Sequence, residues 1–136
     1  MRWIAVFTAL MLTLLPLTSQ AEEPGDSIQA VIADQISAFQ TNDVERAFTH
    51  AAPNIQRIFG TPERFGEMVQ QGYPMVWRPA RYEWLQIVQT DFGPVQVVLF
   101  EDLSGRLHEA GYLMEQVDGI WRINGVKLRA RAGVGA

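Results

Sequence analysis

The stretch T-P-E-R-F-G-E-M-V-Q-Q-G-Y-P-M-V-W-R-P, Thr61 to Pro79, decides how the rest of the chain is read. Thr61 offers a side-chain acceptor for a helix start. Pro62 suits a first helical turn, and Glu63 places negative charge at the positive helix end. Phe65, Met68 and Val69 then share one face, and Gly72 ends the helix. Pro74 and Pro79 push the residues before them, Tyr73 and Arg78, toward extended backbone. Tyr73 to Pro79 is therefore expected to be an ordered connector, neither helix nor central strand. Upstream of this stretch apolar residues fall at helical spacing; downstream they alternate.

Working upstream, Pro53 suits the first turn of a short helix carrying Ile55, Ile58 and Phe59, stopped by Gly60. A helix beginning at Asn42, with Glu45 three residues on, turns Val44, Ala47, Phe48 and Ala51 inward. His50 flanks that face and reads as surface. The first helix is capped by Asp26, with Gln29 three residues on. Ile28, Val31, Ile32, Ile36 and Phe39 form its stripe, centred near Gln35. An amide there needs a partner. Gln35 is either hydrogen bonded to backbone or one wall of a cavity. Asp34 points away from the stripe and is discounted as a catalytic base.

Downstream, four strands are expected: Arg81 to Thr90, Val95 to Asp102, Arg106 to Val117 and Ile120 to Arg129. Turn signals separate them, the tightest being Asp118-Gly119. Short loops make the strands an antiparallel meander. Asn124-Gly125 marks a bulge in the last strand. Counting back from the turns sets Val117 against Ile120, Leu103 against Arg106 and Thr90 against Val95. Glu101 would then face His108, and Trp84 would face Glu101. One sheet face would carry Trp84, Val88, Val95, Val97, Leu99, Ala110, Tyr112, Met114, Trp121 and Ile123 beneath the helices. Arg81, Glu83, Gln89, Gln96, Glu109, Glu115, Arg122 and Asn124 would lie on the other. Helices followed by a meander make an α+β fold, N-terminal helices packed on a curved four-stranded antiparallel sheet, a cone with a pocket at its open end.

The 136 residues, 48% hydrophobic and 19% charged, suit one globular domain. Net charge is −4 with no basic stripe, so no nucleic-acid partner is expected. The start is a different material. Met1-Arg2 precedes an apolar run, Ile4 to Leu17, broken only by Thr8, Thr13 and Pro16. Ser19 and Ala21 then place small residues before a cut. This is the layout of a secretory signal peptide cleaved after Ala21. The alternative is a membrane anchor, but the run is shorter than the ~20 residues a spanning helix needs. The division read from the sequence is a signal at 1–21, a polar lead-in at 22–26, one cone-fold domain at 27–129 and a flexible tail at 130–136. The mature protein is expected to be periplasmic or secreted, with no stable membrane insertion. The absence of cysteine excludes disulfides and a lipoprotein anchor.

Chemistry has few places to sit. Glu101 beside His108 would be a carboxylate–imidazole pair able to move a proton, with Tyr112 orienting a substrate. The same pair also reads as a salt-bridged hairpin end. Tyr73, Trp77 and Arg78, with Arg81 near, form an aromatic-basic patch. It would either grip an anionic ligand or pack the connector onto the sheet. Gln35 and Trp84 complete the candidate ligand-binding set. Two histidines without cysteine give no metal-ligand spacing, and no phosphate loop or nucleophile motif is present, so no metal and no cofactor are expected.

F-G-T-P-E-R-F-G-E-M-V-Q-Q-G-Y-P-M-V-W-R-P at 59–79 and D-G-I-W-R-I-N-G-V at 118–126 resemble an uncharacterised bacterial family, domain of unknown function 4864. That family is similar to the nuclear transport factor 2-like, or SnoaL-like, superfamily. The resemblance covers Ile28 to Leu128. Where the family's pattern often carries cysteine this chain has Val126, so thiol chemistry does not transfer. The resemblance implies a curved sheet wrapped by helices, often a homodimer through the sheet. Such folds serve isomerases, dehydratases and non-catalytic binding modules, and Glu101, His108 and Tyr112 match no enzyme's motif. Three functions follow as expectations: a non-catalytic module binding a small molecule or a protein, an isomerase- or dehydratase-type enzyme using Glu101 and His108, and a structural dimerisation module.

Overall fold

The computed structural model describes residues 24–131. The expected signal, residues 22–23 of the lead-in and residues 132–136 of the tail lie outside them. Five helices come first: α1 (Pro24–Gln40), α2 (Val44–Thr49), α3 (Pro53–Phe59), α4 (Pro62–Gly72) and α5 (Pro74–Trp77). Four strands follow: β1 (Arg81–Thr90), β2 (Gly93–Glu101), β3 (Leu107–Val117) and β4 (Ile120–Ala130). The strands make one open antiparallel sheet in the order β1-β2-β3-β4. This is the expected α+β meander.

The caps explain most helix boundaries. Thr61 accepts a hydrogen bond from the Arg64 N–H, and Pro62 opens α4, as the sequence suggests. α1 starts at Pro24, ahead of Asp26. It ends because Asn42 takes the left-handed conformation (φ 56°), which returns the Asn42 and Asp43 N–H groups to the Phe39 and Ala38 carbonyls. Asn42 therefore closes one helix rather than opening the next. Asp43 caps α2, accepting from the Arg46 N–H. The connector also differs from expectation. Tyr73 and Arg78 do avoid helical backbone, but Pro74 nucleates one helical turn between them, α5.

Two bulges and two turns set the sheet register. Asp118 and Gly119 both have positive φ, so the last hairpin is the expected tight turn, and Glu115 faces Arg122. The bulge falls at Asn124, where pairing passes from Met114–Ile123 to Leu113–Gly125. Tyr112 thus faces Val126, one residue beyond the position that counting back from Val117–Ile120 gives. The β2–β3 turn overturns the expected register there. Asp102 accepts from the Ser104 N–H, the Ser104 hydroxyl and the Arg106 N–H, so Glu101 pairs with Leu107 and Phe100 with His108. That slip of one residue turns β2 over. Gln96, Val98 and Phe100 face the helices, while Val95, Val97 and Leu99 take the outer face.

Gln96 was expected outside but is fully buried. A bulge in β1, between Trp84 and Ile87, explains how an amide tolerates this. The Gln96 amide donates to the Leu85 carbonyl (3.0 Å) and the Val97 carbonyl (2.8 Å), and its oxygen accepts from Gln29 (3.3 Å). The bulge also reverses the end of β1. Val88 is 43% exposed, whereas Trp84 stays on the inner face, opposite Val98 rather than Glu101.

The core lies between the helices and the inner face. Ile28, Ile32, Ile36 and Phe39 of α1 pack with Val98, Phe100, Ala110, Tyr112, Met114 and Ile123. Phe65 of α4 joins three aromatic rings, Phe39, Phe48 and Phe59, at 5.4–6.0 Å between centroids. The outer rim of β4 is closed by the α2–α3 junction: the Ile123 N–H donates to the His50 carbonyl, and its carbonyl accepts from the Ala52 N–H, both at 2.8 Å. Among the described residues no helix is long and apolar enough to cross a membrane.

Candidate functional site

A cavity of about 270 Å³ lies between the helices and the β3–β4 half of the sheet. α1 contributes Gln35 and Phe39 to its wall. Ile55, Ile58 and Phe59 of α3 and Phe65, Met68 and Val69 of α4 face them. Tyr73 and Val76 close the side, and Tyr112 and Ile123 of the sheet are joined there by Gly125 and Val126 after the bulge. No charged residue lines it among the described residues. Ile58, 64% exposed, sits at the rim. An apolar cavity of this size with a few polar groups is the ordinary form of a small-molecule site.

The polar groups are Gln35, Tyr73 and Tyr112. Both readings of Gln35 hold. Its amide donates to the Ala47 carbonyl at 3.1 Å, and the side chain also forms part of the wall. The Tyr73 hydroxyl donates to the Val126 carbonyl at 3.3 Å. Tyr112 differs from both. It is fully buried, and its hydroxyl has no hydrogen-bond partner. Burial pushes its pKa far up, with Tyr82 and Tyr73 adding to the shift, so the phenol stays protonated.

The expected acid–base pair is not formed. His108 Nε2 lies 2.9 Å from Asp102, and Glu101 is held by Arg81 at 2.6 Å on the outer face. The one-residue slip at the β2–β3 turn separates them. The Ser104 hydroxyl first, then His108 and the turn N–H groups, hold the Asp102 carboxyl well below the usual range. This is a hairpin end stitched by hydrogen bonds, and neither Glu101 nor His108 lines the cavity.

The connector patch is spent on structure. Arg78 donates to the Phe39 and Trp77 carbonyls and to the Asn42 side chain, so it caps the C-terminus of α1. Trp77 stacks under Arg78 (4.9 Å) and against Phe39 (5.4 Å). Trp84 packs edge-on against Tyr82 at 5.5 Å. Of the candidate ligand residues, only Gln35 and Tyr73 reach the cavity, alongside Tyr112.

The spacing places Phe65, Met68 and Val69 on one helix face and Ile55, Ile58 and Phe59 on the short helix before it, without pointing to a cavity between them. The available signal was three large apolar residues, Ile55, Ile58 and Phe59, crowded into a helix of seven residues. A second unforeseen feature is a surface cluster. His50 Nε2 lies 2.6 Å from Asp34, and Arg46 is 3.2 Å from the same oxygen. The His50 hydrogen bond, helped by Arg46, holds the Asp34 carboxyl below its usual range against partial desolvation. The cluster ties α1 to α2 and does not touch the cavity. No group of three or more metal-ligating side chains occurs among the described residues.

Residues 21–136 match the family described as Domain of unknown function (DUF4864). No curated protein matches the chain. Among solved structures, the chain is similar to an NTF-2-like protein of unknown function from Shewanella oneidensis MR-1. The TM-score is 0.55 at 16% identity, over 78% of this chain and 98% of that one. At that identity the likeness is one of fold alone.

Proposed function

Since this chain belongs to the DUF4864 family and has an NTF-2-like fold, we propose that it is a non-catalytic module that binds a small apolar molecule in the cavity between α3, α4 and the sheet. The observation that carries this reading is the wall itself: apolar side chains around 270 Å³, with no charged group among them. A preformed apolar cavity favours a ligand of matching shape, because burial of its surface and contact with the wall both stabilise the complex. The acid–base alternative loses its support in the separation of Glu101 from His108.

The experiment is titration of the purified protein with tetralin, an uncharged two-ring hydrocarbon, followed by calorimetry. Saturable binding with a negative heat-capacity change is expected. Met68→Trp, which fills the cavity from α4, should abolish binding, and His108→Ala should leave both folding and binding unchanged. Absence of binding to the wild-type chain would end the proposal.

Export is part of the same reading. The charged start, apolar run and Ser19–Ala21 ending support a protein that acts after cleavage, in the periplasm or outside the cell. Intact mass of the exported protein should correspond to a start at Glu22; a mass retaining Met1 would reject it. A homodimer through the sheet is a second reading, favoured by Val95, Val97 and Leu99 on the outer face, with the Arg81–Glu101 and Arg129–Glu109 pairs at one end of it. Light scattering distinguishes a dimer from a monomer.

A further inference from the structure

We propose that α3 is the door of the cavity: a ligand enters and leaves when Pro53–Phe59 swings outward about its two ends, and Gln56 is the latch that sets how often it opens. This rests on the cavity-binding reading above and adds the route into the cavity and its control.

Burial singles out the element that can move. Every other wall of the cavity includes a residue buried in the core: Phe39 of α1, Phe65 of α4, Val76 of α5, Tyr112 of β3 and Ile123 of β4. Displacing any of these would open the core itself. α3 lines the cavity with Ile55, Ile58 and Phe59, yet none of its seven residues is buried. Ile55 and Phe59 are half-buried, and Ile58 is 64% exposed at the rim. Local opening begins where the least apolar surface has to be uncovered.

The two ends of α3 supply the pivots. Before it, the Ala52 N–H is fixed to the Ile123 carbonyl at 2.8 Å. After it, Gly60 has φ 78°, and a Cβ there would meet nothing within 4 Å, so the backbone turns in open space. Between the pivots, the side-chain hydrogen bonds that hold α3 among the described residues are those of the Gln56 amide, to the Phe48 and Ala51 carbonyls. Phe59 adds an edge-on contact with Phe65, 5.8 Å between centroids. Gln56 does not line the cavity, so it holds the door without touching a ligand. A ligand inside gives the exposed Ile58 an apolar surface to close on, which favours the shut position.

Gln56→Ala, with Gln56→Met as a second variant of similar length, tests this with tetralin as the probe. Exchange between free and bound tetralin, followed by NMR, gives the association and dissociation rates, and titration gives Kd. Both rates are expected to rise roughly tenfold in the variants while Kd stays within about twofold of the wild type, because a looser latch speeds entry and exit equally. In the wild type, tetralin should also slow amide hydrogen exchange across residues 53–59. Unchanged rates in both variants would overturn the proposal and leave the cavity reading standing. So would faster dissociation at an unchanged association rate, which would show that Gln56 shapes the wall rather than releasing it. Tetralin binding that leaves exchange in α3 unaltered would do the same. Failure of the wild type to bind tetralin would overturn both.

Discussion

The side-chain amide of Gln35 donates to the main-chain carbonyl of Ala47 at 3.1 Å, joining α1 to α2 at the edge of the cavity. Both residues are buried. Gln35→Leu keeps the size of the side chain but takes the amide donor from the Ala47 carbonyl. A loss of about 1–3 kcal/mol is expected, the cost of stranding a buried polar group. Urea unfolding at neutral pH measures it, and an unchanged midpoint would show that the bond contributes nothing.

The Asp34 cluster sets a pH dependence. The Asp34 carboxyl is more acidic in the folded protein than its ordinary value of 3.8. Between the two pKa values the unfolded chain binds more protons, so the contribution is present above the unfolded value and is lost as pH falls through the folded one. Asp102 shifts in the same direction and adds to the acid limb. Both carboxylates are partly open to solvent, which keeps the contribution small. Asp34→Asn is expected to flatten the fall in urea midpoint between about pH 5 and pH 2. An identical slope in wild type and variant would refute the assignment.

Gly93 begins β2 at φ 131°, and a Cβ there would lie 2.7 Å from the Met114 carbonyl oxygen. Neither the backbone conformation nor the contact tolerates a side chain. Gly93→Ala is expected to cost at least about 2 kcal/mol. Gly72→Ala, whose added Cβ meets nothing within 4 Å, is the control. Similar thermal midpoints for the two variants would contradict this reading.

α3 contributes no buried side chain of its own. It is tethered by Gln56, whose amide donates to the Phe48 carbonyl (3.0 Å) and the Ala51 carbonyl (3.2 Å). Gln56→Ala is expected to raise amide hydrogen exchange across residues 53–59 several-fold while leaving α1 and β3 unchanged. Uniform exchange across the chain would show that α3 opens only with the whole domain.

Elements were legible where local chemistry decides them. Thr61-Pro62-Glu63 announces α4, Asp118-Gly119 the final hairpin, and Asn124-Gly125 the bulge. Strand facing was legible only where turn geometry was unambiguous. Asp118-Gly119 permits one pairing, so β3 and β4 came out inward at Tyr112 and Ile123. The β2–β3 turn is organised by the Asp102 carboxylate, whose reach to Ser104 and Arg106 no spacing rule reveals, and its one-residue consequence reversed β2. The Glu101–His108 pair is lost for the same reason, since the two residues meet only in the unslipped register. The Arg78 patch reads two ways in the sequence, because an aromatic-basic cluster looks alike whether its cation faces solvent or caps a neighbouring helix. The cavity was invisible because inward-facing apolar residues do not disclose whether they touch each other.

The clasp of Ile123 by His50 and Ala52 bears on how copies of this protein meet. A bare strand margin invites intermolecular ribbon growth, and with it fibrous association. At Ile123 both main-chain groups are already engaged within the same molecule, and the segment holding them leads directly into α3. A foreign strand could dock on that margin only by stripping this segment away. The molecule thus resists margin-to-margin stacking at Ile123 by topology, without needing charge there to repel a neighbour.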